Sequence, residues 1–184
     1  MPAAPEFLIR TATVVDIPAL NELIEASVRE LQNDDYTPEQ IDGAVGHTLS
    51  LDTQLIVDAT YFIAEATSGQ PRLAGCGGWS NRKTLCGGDG AGNREMSLLD
   101  PATDAAKIRG IYVHPAWARR GLGSLILKHC ESLAERAGFR RLEMGSTLTG
   151  VPLYSLKGYR ECETFELPLP NGAALPVVRM VKEL

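Results

Sequence analysis

The chain has 184 residues, 44% hydrophobic and 22% charged, a balance that fits one soluble globular domain and excludes a disordered chain or two full-sized domains. Its 18 basic and 23 acidic residues leave a formal net charge of −5, so a nucleic-acid partner, which needs a positive field, is not expected. No stretch reaches the roughly 18 apolar residues of a membrane-spanning helix, so no membrane partner is expected either.

Met1 to Glu6 lacks the basic and apolar regions of a secretory signal. Cys76, Cys86, Cys130 and Cys162 form no Cys-x-x-Cys pair and stand at no ligand spacing to the three histidines. That predicts free thiols in a reducing cytoplasm and no metal site.

Phe7 to Val14 reads as a strand. Asp16 then caps a helix with Pro18 in its first turn and apolar residues at Ile17, Leu20, Ile24, Val28 and Leu31. After the polar run Gln32-Asn33-Asp34-Asp35, Thr37-Pro38-Glu39-Gln40 is a capping box opening a short helix that ends near Gly46. A further helical turn follows Asp52. Tyr61-Phe62-Ile63-Ala64 and Arg72 to Trp79 then pair as a hairpin across Ser68-Gly69-Gln70-Pro71. Ser80 to Asp104 has no period and reads as a surface loop inserted between strands.

Lys107 to Val113 is the next strand, and Arg119 to Ala137 is the strongest helix. Its stripe is Leu122, Leu125, Ile126, Leu133 and Ala137, and Gly138 stands where a C′ glycine belongs. Phe139 to Gly145 is a strand and Val151 to Leu156 a short helix stopped by Gly158. The strands Glu161 to Leu167 and Leu175 to Val181 close the chain around Pro170-Asn171-Gly172. The order βααβββαβαββ predicts one mixed α/β (α+β) domain over residues 1–184, with about seven strands and four helices.

The chemistry concentrates in Ile108 to Ser124, a strand, a Pro-ended turn, then Gly121-Leu122-Gly123 opening the long helix. The first N–H groups of a helix have no internal partner and carry about half a positive charge, so a diphosphate can sit there. Glycines let it approach the backbone, and Arg119 and Arg120 add cations. By contrast, Gly87-Gly88-Asp89-Gly90-Ala91-Gly92 is followed by no Gly-Lys-Ser/Thr and opens no helix, so it reads as a flexible loop. Trp117 lies in a turn and is expected to pack on the neighbouring surface or on a partner subunit.

At these residues the chain resembles the GNAT superfamily of acetyl-coenzyme A-dependent N-acetyltransferases, along nearly its whole length. Val113-His114-Pro115 and Arg120-Gly121-Leu122-Gly123 match that family's pattern, while Ala118 stands where Gln or Arg is usual. The resemblance implies a mostly antiparallel sheet splayed at two central parallel strands, with acetyl-CoA in the splay. Its diphosphate would meet Arg119, Arg120, Gly121, Leu122, Gly123 and Ser124. The backbone of Ile111, Tyr112 and Val113 would bond the pantetheine arm. Val151 to Tyr159 looks like the segment whose tyrosine faces the coenzyme sulfur, which assigns Tyr154 as the acid that protonates the leaving thiolate. Thr147 and Gly150 stand where many members have Asn and Ala.

The resemblance implies direct attack by an acceptor amine in a ternary complex, and dimers are common among relatives. The general base stays open between Glu143, His47 and an amine that needs none. Glu30, Asp34 and Asp35 near the acceptor mouth would favour a cationic small molecule. The competing reading is a non-catalytic acyl-CoA-binding module, motivated by Ala118 and the missing base. A toxin-like enzyme acting on charged transfer RNA fits the fold but not the acidity.

Overall fold

The structure is a computed structural model describing residues 6–92 and 94–184, so Met1 to Pro5 of the N-terminal reading lie outside it. Its seven strands are β1 (Phe7–Thr11), β2 (Tyr61–Ala66), β3 (Leu73–Ser80), β4 (Ala106–Val113), β5 (Arg141–Thr147), β6 (Arg160–Pro168) and β7 (Ala174–Glu183). They form one mixed sheet in the order β1-β2-β3-β4-β5-β7-β6. Five helices flank it: α1 (Ile17–Leu31), α2 (Pro38–Ala44), α3 (Thr53–Val57), α4 (Leu122–Arg136) and α5 (Val151–Leu156). The turn expected after Asp52 is α3, which raises the helix count from four to five. Among the described residues no helix is long and apolar enough to cross a membrane.

The sheet is buried on both faces. Phe62, Ala64, Ala74, Ile108, Leu142 and Met144 pack with the α4 stripe, whereas Tyr61, Ile63, Cys76, Leu175 and Val177 pack with α1, α2 and α3. Successive strand residues point to opposite faces, so a strand covered on both sides reads as a continuous apolar run, as Tyr61-Phe62-Ile63-Ala64 does. Close approach of α4 to β3 depends on Gly77. A Cβ there would stand 2.7 Å from Ile126 Cγ2 and 2.8 Å from Ile111 Cγ1. Gly77→Ala is therefore expected to lower stability by about 1–3 kcal/mol through overpacking, read as the midpoint of urea unfolding.

Several boundaries differ from the sequence reading for identifiable reasons. β1 stops at Thr11, because Arg10 grips both Asp16 oxygens at 2.9 and 2.8 Å and Thr13 N–H donates to the same carboxylate at 2.8 Å. Those bonds turn the chain and leave Val14 and Val15 exposed. α4 starts at Leu122, since Arg119 (φ 65°) and Gly121 (φ 77°) are left-handed and cannot continue a helix. Its buried stripe is Leu122, Ile126, Leu127, Cys130 and Ala134. Leu125, expected in that stripe, is exposed. At 3.6 residues per turn it lies about 130° from the stripe's centre.

Among the described residues, the segment between β3 and β4 contains no helix or strand, but it is not a free loop. It folds back on itself through Lys83 N–H to Ser97 O (3.1 Å), Thr84 N–H to Glu95 O (3.0 Å) and Leu99 N–H to Asn81 O (2.8 Å). Its glycine-rich tip, expected to be flexible, donates from Gly88 N–H to Thr48 O and from Asp89 N–H to Leu51 O. Thr84, Cys86 and Ala91 are buried.

Candidate active site

The parallel ladder between β4 and β5 has only two residue pairs, Ala106↔Leu142 and Lys107↔Glu143, although the strands have 8 and 7 residues. Beyond those pairs each strand stays bound only to its outer neighbour, β3 for β4 and β7 for β5. The register of β3 and β4 shifts where Gly110 takes φ 54°, and Tyr61 Oη donates to Gly110 O at 2.8 Å. This bulge bends β4 away from β5.

His114 N–H donates to Ala74 O on β3 at 2.8 Å. Strand alternation therefore turns the backbone groups of Val113 and Ile111 into the splay. Interior backbone groups need partners, and an extended ligand carrying amides can supply them as an added strand would.

The start of α4 closes one end of the splay. The first intrahelical bond runs from Leu125 N–H to Gly121 O at 3.0 Å, which leaves Leu122, Gly123 and Ser124 N–H for an outside acceptor. Arg119 is exposed and makes no bond among the described residues, so its cation is free. Arg120 is occupied: it donates to Glu6 Oε1 at 2.8 Å and lies over the Trp117 ring, 4.9 Å from its centroid. Trp117, expected to pack on the neighbouring surface or on a partner subunit, packs within the chain, buried against Phe7 with Nε1 donating to Pro71 O at 2.8 Å. Ala118 contributes no side-chain donor, and its N–H is already given to Pro115 O.

Tyr154 faces the same splay from α5. A Cβ on Gly123 would meet Leu153 Cδ2 at 3.2 Å, so the two helix starts abut. The Tyr154 ring packs edge-on to Tyr159, 5.9 Å between centroids, and its hydroxyl has no hydrogen-bond partner among the described residues. Burial raises its pKa well above the phenol's usual 10, keeping it a protonated donor.

A cavity of about 80 Å³ continues from the splay toward α1 and α3. Its lining brings Ile111, Tyr112 and Tyr154 together with Ser146, Thr147, Gln32, Ser50 and Asp52. The sequence reading missed its principal charges. Asp52 caps α3 through Gln54 N–H and accepts from Arg94 at 2.7 Å and Arg109 at 2.9 Å. Arg109 also donates to Thr84 O and Gly87 O, fastening the β3–β4 segment over the cavity. Burial lowers the pKa of Arg109, opposed by Asp52. A charged residue inside an apolar strand needs a buried partner, and that was the available signal.

Neither candidate base stands free at the cavity. Glu143 is a buried carboxylate gripped by Lys107 and Arg179. Burial pushes its pKa up, but those two cations outweigh it and hold it below the usual range, so it is a weak base with committed oxygens. His47 sits with Nδ1 3.1 Å from Thr48 Oγ1 and does not line the cavity. Asp35 accepts from Thr149 Oγ1 at 2.6 Å, and Glu30, Asp34 and Asp35 also lie off the cavity lining.

A mixed sheet opened between its parallel strands, with a bare helix N-terminus and a tyrosine at the opening, is the architecture of the GNAT acetyltransferases. The chain belongs to that family: the model of the Acetyltransferase (GNAT) family matches residues 25–159, which makes the protein an acyltransferase. No curated protein sequence matches it.

Among solved structures it is similar to a GCN5-related N-acetyltransferase from Rhodopseudomonas palustris, at 20% identity and TM-score 0.71 over 100% of this chain and 99% of that one. It is also similar to the PaiA N-acetyltransferase of Thermoplasma acidophilum in complex with coenzyme A (13%, TM-score 0.63, 97% and 99%). A third likeness is to yncA of Salmonella typhimurium with its cofactor acetyl-CoA (17%, TM-score 0.62, 98% and 95%). At these identities the likeness is one of fold.

Proposed function

We propose that the protein transfers an acetyl group from acetyl-CoA to a primary amine of a small acceptor, by direct attack within a ternary complex. The observation that carries this reading is the two-pair ladder of β4 and β5, with the α4 start and Tyr154 at its opening. Acetyl-CoA supplies an activated acetyl thioester. The diphosphate is taken by the Leu122, Gly123 and Ser124 N–H groups with Arg119 beside them, and the pantetheine amides by the backbone of Ile111 to Val113. Tyr154 gives its phenolic proton to the departing sulfur. The acceptor enters through the cavity beside Gln32 and Asp52. Three of the four thiols are buried and all are unpaired, which suits a cytoplasmic enzyme.

Calorimetric titration with acetyl-CoA tests this reading. The wild-type protein is expected to bind in the micromolar range. Gly121→Glu is expected to weaken binding at least ~100-fold, because it forces a side chain into φ 77° and sets an anion on the helix dipole. No binding by the wild-type protein would overturn the reading.

A further inference from the structure

One group at the cavity is left idle by acetyl transfer as described so far. Gln32 closes α1: its N–H donates to Val28 O at 3.3 Å, and its carbonyl accepts from Asp35 and Tyr36 N–H at 3.1 Å each. Tyr36 Oη donates to Pro176 O at 2.7 Å and accepts from Leu148 N–H at 2.8 Å. The backbone of Gln32 is thereby tied to β7 and to the turn after β5. Its side chain, by contrast, has no hydrogen-bond partner among the described residues. Gln32 is 6% exposed and lines the cavity, and its Oε1 is the one buried side-chain polar atom without a partner among the described residues. Folded proteins satisfy nearly all such atoms, so a positioned carboxamide left bare beside a cavity marks where a ligand supplies the missing donor. The last torsion of glutamine is broad, so small rotations aim the oxygen at little cost.

The other groups at the cavity say what kind of donor is admitted. Its charges are Asp52, at the start of α3, and Arg109, on β4. Asp52 is already shared between Arg109 and Arg94, and Arg94 also meets the exposed Asp89 at 3.5 Å, so this network is neutral and has no anion to spare at the cavity. The remaining titratable groups are Cys86 from the β3–β4 segment, Tyr112 from β4 and Tyr154 from α5, all neutral acids at physiological pH. β5 contributes Met144 to Thr147, and the β6–β7 hairpin contributes Leu167 and Val177, none of them titratable. An ammonium ion would be desolvated here with no counter-ion.

Resting on the acetyl-transfer reading, we propose that Gln32 positions the acceptor through a hydrogen bond from its amine N–H to Oε1, and that acceptors are amines uncharged near neutral pH. Arylamines and carboxylic acid hydrazides belong to this class; alkylammonium ions do not. The amine lone pair forms the C–N bond to the acetyl carbon and the C–S bond breaks. The sulfur takes the phenolic proton of Tyr154, and the nitrogen returns one proton to the phenolate, so amine and thioester become amide and thiol.

The test is acetylation of 4-methoxyaniline, acetohydrazide and n-butylamine by wild type, Gln32→Met and Gln32→Glu, beside calorimetry with acetyl-CoA and thermal melting. Wild type is expected to use n-butylamine at least ~100-fold less well per total amine at pH 7, with kcat/KM rising about tenfold per pH unit toward the amine's pKa and the arylamine rate flat. Gln32→Met is expected to bind acetyl-CoA normally and melt at or above the wild-type temperature, while KM for 4-methoxyaniline rises about tenfold. Gln32→Glu, which adds an anion, narrows the gap to n-butylamine.

An unchanged KM in Gln32→Met, equal use of the alkylamine at pH 7, or inertness of both weakly basic probes in a protein that binds acetyl-CoA overturns the proposal alone. Failure to bind acetyl-CoA overturns instead the reading beneath it.

Discussion

A Tyr154→Phe protein is expected to bind acetyl-CoA as wild type does and to turn over about 10²–10⁴-fold more slowly, the range for losing a positioned general acid. The fold should tolerate the change, because the hydroxyl has no hydrogen-bond partner among the described residues while the ring packs on Tyr159. The loss therefore falls on kcat and not on the coenzyme's Kd. Burial raises the phenol's pKa, so it stays protonated through the neutral range. In the wild type no basic limb from this residue is expected below about pH 10. Stopped-flow release of coenzyme A thiol, with calorimetry on the same samples, reads both quantities. Full activity in Tyr154→Phe would assign the proton to another donor. A wild-type protein that binds the coenzyme but releases no thiol with any amine would favour the non-catalytic reading.

What the sequence made legible was local. Thr37 and Gln40 announce a capping box, and the structure has both bonds, Gln40 N–H to Thr37 Oγ1 at 3.2 Å and Thr37 N–H to Gln40 Oε1 at 3.0 Å. Gly138 stands after α4 with φ 98°, and Pro38 opens α2. Such signals need only neighbours a few residues away. The features that escaped depend on distant partners. Glu143 looks like a base until Lys107 and Arg179 close on it. The glycine-rich tip looks flexible until Thr48 and Leu51 accept its N–H groups. Gln32 carried no signal in a polar run, because its meaning lies in a partner that is missing.

The largest effect on stability is expected at Arg109, whose replacement by Met should cost about 3–5 kcal/mol, the usual penalty for breaking a buried charge pair. Removing its side chain strips Asp52 of one of two cations and leaves Thr84 O and Gly87 O without their donor. Each bare carbonyl adds its own desolvation cost. Arg94, more exposed, still meets Asp52, which keeps the loss within that range.

The damage should also be local to one wall. The β3–β4 segment is fastened over the cavity by these bonds, so amide exchange near Thr84 to Gly88 is expected to rise before global unfolding does. The helix start proposed to take the diphosphate lies on other elements. Arg109→Met should accordingly raise the acceptor's KM and lower the urea midpoint while sparing the Kd for acetyl-CoA. A variant that lost coenzyme binding and acceptor affinity together would show that the two halves of the cleft are one cooperative unit. Unchanged stability would mean that the Arg109–Asp52 pair is replaced by water at no cost, against its 4% and 7% side-chain exposure.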